Sequence, residues 1–181
     1  MIRKIIISCI AATSLILFST QAFALINLSV GVPLSHTFTK EDSSGSKIET
    51  DGVSGTFIQI GVPILPGIGM DNYETKVKDS DTKIATTMYN LYYLLPIPVI
   101  NLTFGVGVGN TEIQCEGCSA AYDKGGATQV YASLGFPIIP LFDLHLSYRS
   151  INSKVKGKGS YEGSEVDLAG NVMGLGIGFN F

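Results

Sequence analysis

The densest run of side chains able to do chemistry is DLHLSYR, at positions 143–149. Its polar members are Asp143, His145, Ser147 and Arg149. Because side chains alternate across a strand, all four are expected on one face of it. The imidazole and the hydroxyl could act as base and nucleophile, or the charges could guide an ion. In a closed interior the same groups would instead form a structural network, with Asp143 and Arg149 paired to charges on neighbouring strands. We favour the network, because an isolated H-x-S string has little specificity.

Two other stretches could bind ligands and are weaker candidates. GVGVGN, at 105–110, is rich in glycine like a phosphate-binding loop, but it lies within a predicted strand and no helix follows it. Its glycines are therefore expected to be structural. The acidic residues at 41–51 and 112–123 lack the spacing of a divalent-cation loop. The sequence predicts neither a cofactor nor a metal site.

The N-terminus has the three-part layout of a secretory signal peptide. MIRK is basic, IIISCIAATSLILF is apolar, and STQAFA ends in small residues. We expect cleavage after Ala24, so that 1–24 is a signal peptide and 25–181 is one mature domain; an uncleaved membrane anchor is the alternative. Without Arg3 and Lys4, the number of basic residues falls from 12 to 10 against 15 acidic residues, a net charge of −5. This balance argues against a nucleic-acid partner.

Two cysteines remain in the mature chain, in the segment CEGC. An exported protein meets an oxidising compartment, so a small disulfide loop between Cys115 and Cys118 is the default expectation. A zinc site would need further Cys or His ligands nearby, and a redox motif would need a helix start in a βαβ unit. Neither feature is visible in the sequence, so the disulfide is preferred.

Turn signals divide the mature chain into eight extended segments. Short proline-bearing turns, PILPG, PIP and PIIP, alternate with four longer stretches rich in Gly, Ser, Lys and Asp. Short periplasmic turns and longer outer loops are typical of transmembrane barrels. The longest apolar run after the leader, LYYLLPIPVI, is too short for a spanning helix, so a membrane-spanning mature chain must be a β-barrel. The predicted strands are 25–39, 51–62, 67–77, 83–95, 99–113, 126–136, 141–153 and 164–181.

Most of these strands alternate between apolar residues and small or polar ones, although the second and third alternate poorly and Pro33 requires a bulge in the first. If the apolar face were a soluble core, glycines would line the exposed face, where they cost conformational entropy. If it faced lipid, the small and polar residues would fill the narrow interior of an eight-stranded barrel. The sequence therefore predicts an all-β, eight-stranded, antiparallel up-and-down transmembrane barrel. The predicted interior network comprises Gln129, Tyr131, Asp143, His145, Ser147 and Arg149.

Inward glycines are expected to make room for the larger interior side chains. They lie at positions 105, 107, 109, 174, 176 and 178. Aromatic residues near the short turns are expected to form a girdle at the periplasmic interface. They are Tyr92, Tyr93, Phe136, Phe142, Phe179 and Phe181.

Taken together, these patterns resemble the small eight-stranded outer-membrane β-barrel proteins of Gram-negative bacteria, the OmpA/OmpX/OmpW-like group. The most specific segment is the C-terminal GLGIGFNF, which looks like the terminal assembly signal of that group. Gly176, Phe179 and Phe181 match its glycine and paired hydrophobic positions, although Gly174 stands where a polar residue is usual. The resemblance implies an outer-membrane location and recognition of the last strand by the barrel-assembly machinery.

The H-x-S of His145 and Ser147 is similar to the motif of the outer-membrane lipid A deacylases. Tyr148 stands where that family carries Asn, and no acid lies at the family's spacing; Glu162 and Glu165 are only loop candidates. The strand phase also points His145 into the interior. We therefore expect no enzymatic activity.

The expected function is the display of surface loops and support of the cell envelope. The alternatives are a narrow pore, a route for small apolar molecules, or, less favoured, a lipid A hydrolase. The expected partners are outer-membrane lipid, lipopolysaccharide, the assembly machinery and a loop partner that the sequence does not identify. KVKGKG, at 154–159, could bind lipopolysaccharide phosphates, but a solvated loop is the simpler expectation.

Overall fold

The computed structural model describes residues 26–39, 47–62, 65–97, 100–139 and 141–180. The predicted signal peptide lies outside these ranges. The strands are β1 (Asn27–Phe38), β2 (Thr50–Gly61), β3 (Pro66–Val77), β4 (Lys83–Ile97), β5 (Ile100–Gln114), β6 (Gly125–Ile139), β7 (Phe142–Lys156), β8 (Glu165–Asp167) and β9 (Gly170–Asn180). A short helix α1 spans Cys118–Ala121, and a 3-10 turn spans Gly159–Tyr161. Among the described residues, no helix is both long and apolar enough to cross a bilayer.

The sheet closes into a barrel. Strands β1 to β7 pair in sequence order, and β9 pairs with both β7 and β1, every pairing being antiparallel. The short strand β8 pairs with the last residues of β7. The turns after β2, β4 and β6 lie at one end, here the turn end. At the other end, the loop end, lie the loops L2 (78–82), L3 (115–124) and L4 (157–169) and the described residues 39 and 47–49 of L1, the loop between β1 and β2.

The eight predicted strands are confirmed, with two differences at the last loop. Strand β7 runs on through Lys156, although KVKGKG was expected to be a loop. The alternation continues there, with Val155 buried inside and Lys154 and Lys156 outside, so the backbone stays extended. The final predicted strand is interrupted between β8 and β9. The register shift that Pro33 requires lies between Pro33 and Ser35 in the β1–β9 pairing.

The outward face of the strands carries an uninterrupted zone of large apolar side chains, here the apolar belt. Its members are Val30, Val32, Leu34, Ile58, Ile60, Ile68, Met70, Tyr89, Leu91, Tyr93, Leu95, Ile97, Phe104, Val106, Val108, Val130, Leu134, Phe136, Ile138, Phe142, Leu144, Leu146, Tyr148, Met173, Leu175 and Ile177. The inward face at the same height carries mostly polar side chains and glycines, together with the buried Met88, Tyr92 and Leu94. This inverted arrangement is the one that the sequence predicts.

Towards the loop end the polarity reverses within the same strands. The interior there is an apolar cluster of Phe38, Ile84, Val155 and Leu168, here the loop-end cap. Partly buried residues that pack on it are Ile48, Val77, Ile113, Tyr122 and Val166. The outward positions of β3 and β4 at this height carry Glu74, Lys76 and Lys83. This part of the barrel is therefore built like a water-soluble protein, with its apolar side chains inside.

The loops L3 and L4 pack on each other above the cap. Cys115 and Cys118 are bonded in the turn that leads into α1. Tyr122, after α1, forms a backbone bridge to Gly157 and stacks on Tyr161, with ring centroids 5.9 Å apart. On the other side, the hydrogen bond and charge of Lys78 lower the pKa of Glu49, an ion pair that joins L1 to L2.

The predicted aromatic girdle is wrong for one residue, Tyr92. Tyr92 is buried in the interior, where its ring lies over Gly67, because it precedes the outward Tyr93 and neighbouring residues of a strand face opposite sides. Tyr93, Phe136 and Phe142 do face outward near the turn end.

Candidate functional site inside the barrel

A buried ion pair lies inside the barrel beneath the loop-end cap. Arg149 Nε donates to Asp71 Oδ2 at 3.0 Å and Nη2 donates to Oδ1 at 3.4 Å. The two side chains are only 2% and 0% exposed. The guanidinium carbon also lies 3.6 Å from the ring centroid of Phe57, a cation–π contact that covers one face of the charge. Since Asp71 is on β3 and Arg149 on β7, this pair bridges opposite walls of the barrel. The sequence analysis expected a partner on a neighbouring strand, and for Arg149 that prediction is wrong.

Amide side chains complete the environment of the Asp71 carboxylate. Gln129 Nε2 donates to Asp71 Oδ2 at 2.6 Å and to Asn90 Oδ1 at 2.5 Å. The carboxylate therefore accepts hydrogen bonds from both a guanidinium and an amide, which compensates for its removal from water. Below it, Gln59 Nε2 donates to Tyr131 Oη at 2.7 Å.

The sequence predicted Gln129, Tyr131 and Arg149 as interior residues and missed three of their partners. These are Asp71, Asn90 and Gln59. The available signal was weak: Asp71 precedes Tyr73 and Thr75 at a period of two, which places all three on one face.

Asp143 lies at the turn end of the interior and is bonded to amides. Asn180 Nδ2 donates to Asp143 Oδ2 at 2.7 Å, and Asn101 Nδ2 donates to the same oxygen. Asn27 in turn donates to Asn180 Oδ1 at 2.7 Å. His145 Nε2 lies 4.0 Å from Asp143 Oδ2. The expected charge partner of Asp143 is therefore replaced by amide donors from β5 and β9.

The geometry of His145 and Ser147 differs from that of a nucleophile and its base. Ser147 Oγ donates to the carbonyl oxygen of Gly174 at 3.2 Å and accepts a hydrogen bond from Arg149. The His145 ring lies against Gly178, at a place where a Cβ would come within 2.2 Å of its Nε2. Both side chains face the interior and not the apolar belt, as the strand phase predicted.

The interior between the two polar levels is nearly filled. A void of about 20 Å³ lies among Ser29, Gln59, Ser133, His145 and Ser147. This volume suits about one water molecule. The side chains that the structure describes thus occupy the interior, as expected for a barrel of eight strands.

A closed barrel with an apolar outward belt and a filled polar interior defines the class of small transmembrane β-barrels. The outward apolar positions run from Tyr89 to Ile97 on β4 and from Val130 to Ile138 on β6. These lengths are close to the roughly 9–11 residues that a tilted spanning strand needs.

Comparison with solved structures gives the same class. The crystal structure of Neisserial surface protein A superposes with a TM-score of 0.57 and 13% identity, over 86% of this chain and 96% of that one. The NMR solution structure of Escherichia coli outer membrane protein W superposes with a TM-score of 0.57 and 10% identity, over 87% of this chain and 98% of that one. No protein-family model and no curated protein matches the sequence. The chain therefore has the fold of the small eight-stranded outer-membrane barrels.

The predicted assembly signal lies on β9, the strand that closes the barrel. Gly176 faces the interior and pairs with Gly31 of β1. The Phe179 ring contacts that of Phe142 edge to face, with centroids 4.9 Å apart. Phe181 lies outside the described residues.

Proposed function

We propose that this protein is an integral outer-membrane barrel that is not an enzyme and not an open pore, and that presents L1 to L4 at the cell surface. In this proposal the signal peptide is cleaved after Ala24 and the assembly machinery inserts the chain through its last strand. The observation that carries the proposal is the filled interior. The Asp143 amides at the turn end, the Asp71–Arg149 pair and the loop-end cap close it at three heights.

The first expected result concerns ion conduction. The purified chain in planar bilayers should show no stable conductance steps, because a permeating ion would have to displace the Arg149–Asp71 pair and cross the apolar cap. The comparison is a variant that removes the ion pair and thins the apolar cap, Asp71→Ala with Arg149→Ala and Phe38→Ala, and it should leak. Gel migration of unboiled against boiled samples shows that both chains are folded. Regular steps from the unchanged chain would contradict a closed interior.

A second candidate, a side route for small apolar molecules, is favoured by the wall between β1 and β2. Their backbone pairing ends at Gly31–Phe57. Above it, Thr50 Oγ1 donates a hydrogen bond to the His36 carbonyl oxygen at 2.8 Å. Aromatic rings of His36 and Tyr73 lie behind this seam. An apolar dye that crosses vesicles containing the chain, in the absence of ion conductance, would select this candidate.

The absence of lipid hydrolysis is the second expected result. We expect Ser147→Ala to leave the acyl chains of lipid A unchanged when the lipid is analysed by mass spectrometry from cells with the original and the altered chain. The reason is that Ser147 is hydrogen-bonded to Gly174 and Arg149 inside the barrel, out of reach of the surrounding lipid. Loss of an acyl chain that depends on Ser147 would overturn the non-enzymatic assignment.

A further inference from the structure

Towards the loop end, the apolar belt is followed on every barrel strand by an uncharged polar residue that faces outward. The last members of the belt at this end are Leu34, Ile58, Met70, Tyr89, Val108, Val130, Tyr148 and Met173. Beyond them, the strands carry an outward-facing hydroxyl or amide, here the amide–hydroxyl ring. The ring consists of Thr37, Thr56, Asn72, Thr87, Asn110, Thr128, Ser150 and Asn171. All eight barrel strands contribute, and none of the eight ring residues is charged.

The ring residues pair directly across neighbouring strands on two parts of the wall. Thr56 pairs with Asn72, Asn72 with Thr87, and Thr87 with Asn110. On the opposite wall, Asn171 pairs with Thr37 of β1 and with Ser150 of β7. At β6 the ring is shifted by one row, because Asn110 pairs with Gly126 and Thr128 pairs with Val108 and Asn152. Within the described chain, the ring side chains make no hydrogen bonds to other residues. Their donors and acceptors therefore face outward and are available to whatever surrounds the barrel at this height.

Charged side chains begin only further from the belt. On β3 to β5, the row after the ring holds Glu74, Ala85 and Glu112, and the row after that holds Lys76, Lys83 and Gln114. Rows on one face of a strand are separated by about 7 Å. The lysines thus stand two rows beyond the hydroxyls and amides, and the order from the membrane outward is apolar, uncharged polar, then charged.

Among the described residues, the turn end lacks this order. The outward side chains that the structure describes there continue apolar from the belt into the turns. They include Val62, Leu65, Ile97, Ile138, Ile139 and Leu141. The two ends of the wall therefore differ in the polarity of their outward side chains.

We propose that the amide–hydroxyl ring binds the sugar headgroup of an acylated amino-sugar lipid in the outer leaflet. This inference rests on the membrane insertion proposed above. In such a lipid the acyl chains are attached directly to the sugar, so hydroxyls and amides, which both donate and accept, lie at the acyl boundary and phosphates lie further out. In a glycerophospholipid, ester carbonyls at that boundary only accept, and the phosphate follows at once. Neutral ring residues next to the belt, with charged residues only beyond them, fit the first arrangement. Among those charges Lys83 is paired with Glu74 at 3.3 Å, whereas Lys76 makes no ion pair within the described residues.

The test compares lipids around the full mature chain. The chain is folded into phosphatidylcholine vesicles that contain an equal fraction of a hexa-acylated diphosphorylated diglucosamine lipid, its dephosphorylated form, or phosphatidylglycerol. Unfolding in urea is followed by the loss of the fast-migrating band in unboiled gels. We expect unfolding to be about tenfold slower with either diglucosamine lipid than with phosphatidylglycerol, an effect comparable to one or two net hydrogen bonds.

Two variants assign the effect. The triple variant Asn72→Ala, Thr87→Ala, Asn110→Ala should lose most of the slowing with both diglucosamine lipids. The variant Lys76→Gln, Lys83→Gln should lose only the part that depends on phosphate. Equal unfolding rates in the diglucosamine and phosphatidylglycerol vesicles, or an unchanged effect in the triple variant, would overturn the sugar-binding assignment. A chain that fails to insert into any of the vesicles would instead contradict the proposed function itself.

Discussion

Arg149→Met is expected to destabilise the folded barrel by about 3–5 kcal/mol, the usual cost of leaving one partner of a buried ion pair unpaired. Asp71 is fully buried, and in the variant it would keep only its hydrogen bond from Gln129. The methionine preserves much of the side-chain volume over Phe57. The loss of stability is therefore caused by removal of the charge and not by a cavity. Urea unfolding of the barrel in short-chain phosphatidylcholine vesicles, followed by gel migration, measures the change.

The double variant Asp71→Leu, Arg149→Met is the control for this prediction. It removes both charges and should recover much of the lost stability, because an apolar pair of similar size avoids the desolvation of two ions. If Arg149→Met alone were as stable as the unchanged chain, the pair would not be the buried, water-excluded contact that the structure shows. If the double variant were no better than the single one, packing of Arg149 on Phe57 and Tyr131 would be the dominant contribution.

Gly109→Ala is expected to destabilise the folded barrel by roughly 1–3 kcal/mol, the usual cost of overpacking. A Cβ at this position would lie 1.9 Å from the carbonyl oxygen of Thr87 and 2.8 Å from the Cα of Met88. Both atoms belong to the backbone of the paired strand β4, so they cannot move aside as the end of a flexible side chain could. The same urea titration measures the loss.

Gly126→Ala is the matched control, since this outward glycine on the next strand has no neighbouring atom within 4 Å of an added Cβ. It should leave the free energy of unfolding almost unchanged. Equal stability of the two alanine variants would mean that β4 and β5 are further apart at Gly109 than the structure shows.

The number of barrel strands and the inward faces of β1, β5, β6, β7 and β9 could be predicted from the sequence because they follow from a period of two. The poor alternation of the second and third segments has a physical cause in the reversal of polarity at the loop end. Much of β2 and β3 lies beyond the apolar belt, where Thr56 and Asn72 face outward and Phe57 and Tyr73 face inward. When the apolar face of a strand changes from outward to inward partway along it, the alternation of apolar and polar residues over the whole strand is lost.

The interior contacts were harder to predict for a different reason. Arg149 could be placed inside from its own strand, but its partner Asp71 lies across the barrel, and the alternation of one strand contains no information on which residue stands opposite. Tyr92 was assigned to the outer girdle by its aromatic type alone. Its phase relative to Tyr93 was the stronger signal, because adjacent residues of a strand cannot share a face.

The reversal of polarity along single strands also fixes how deep the molecule sits. If the barrel were inserted more deeply, Asn72 and Glu74 would enter the hydrocarbon layer. If it were inserted less deeply, Met70 and Tyr89 would be exposed to water. A slip of β3 or β4 by one residue would move every side chain to the other face of the strand. Polar side chains would then face lipid within the apolar belt, and apolar side chains would face water beyond it. The preference of apolar side chains for lipid and that of polar side chains for water therefore select the same depth of insertion.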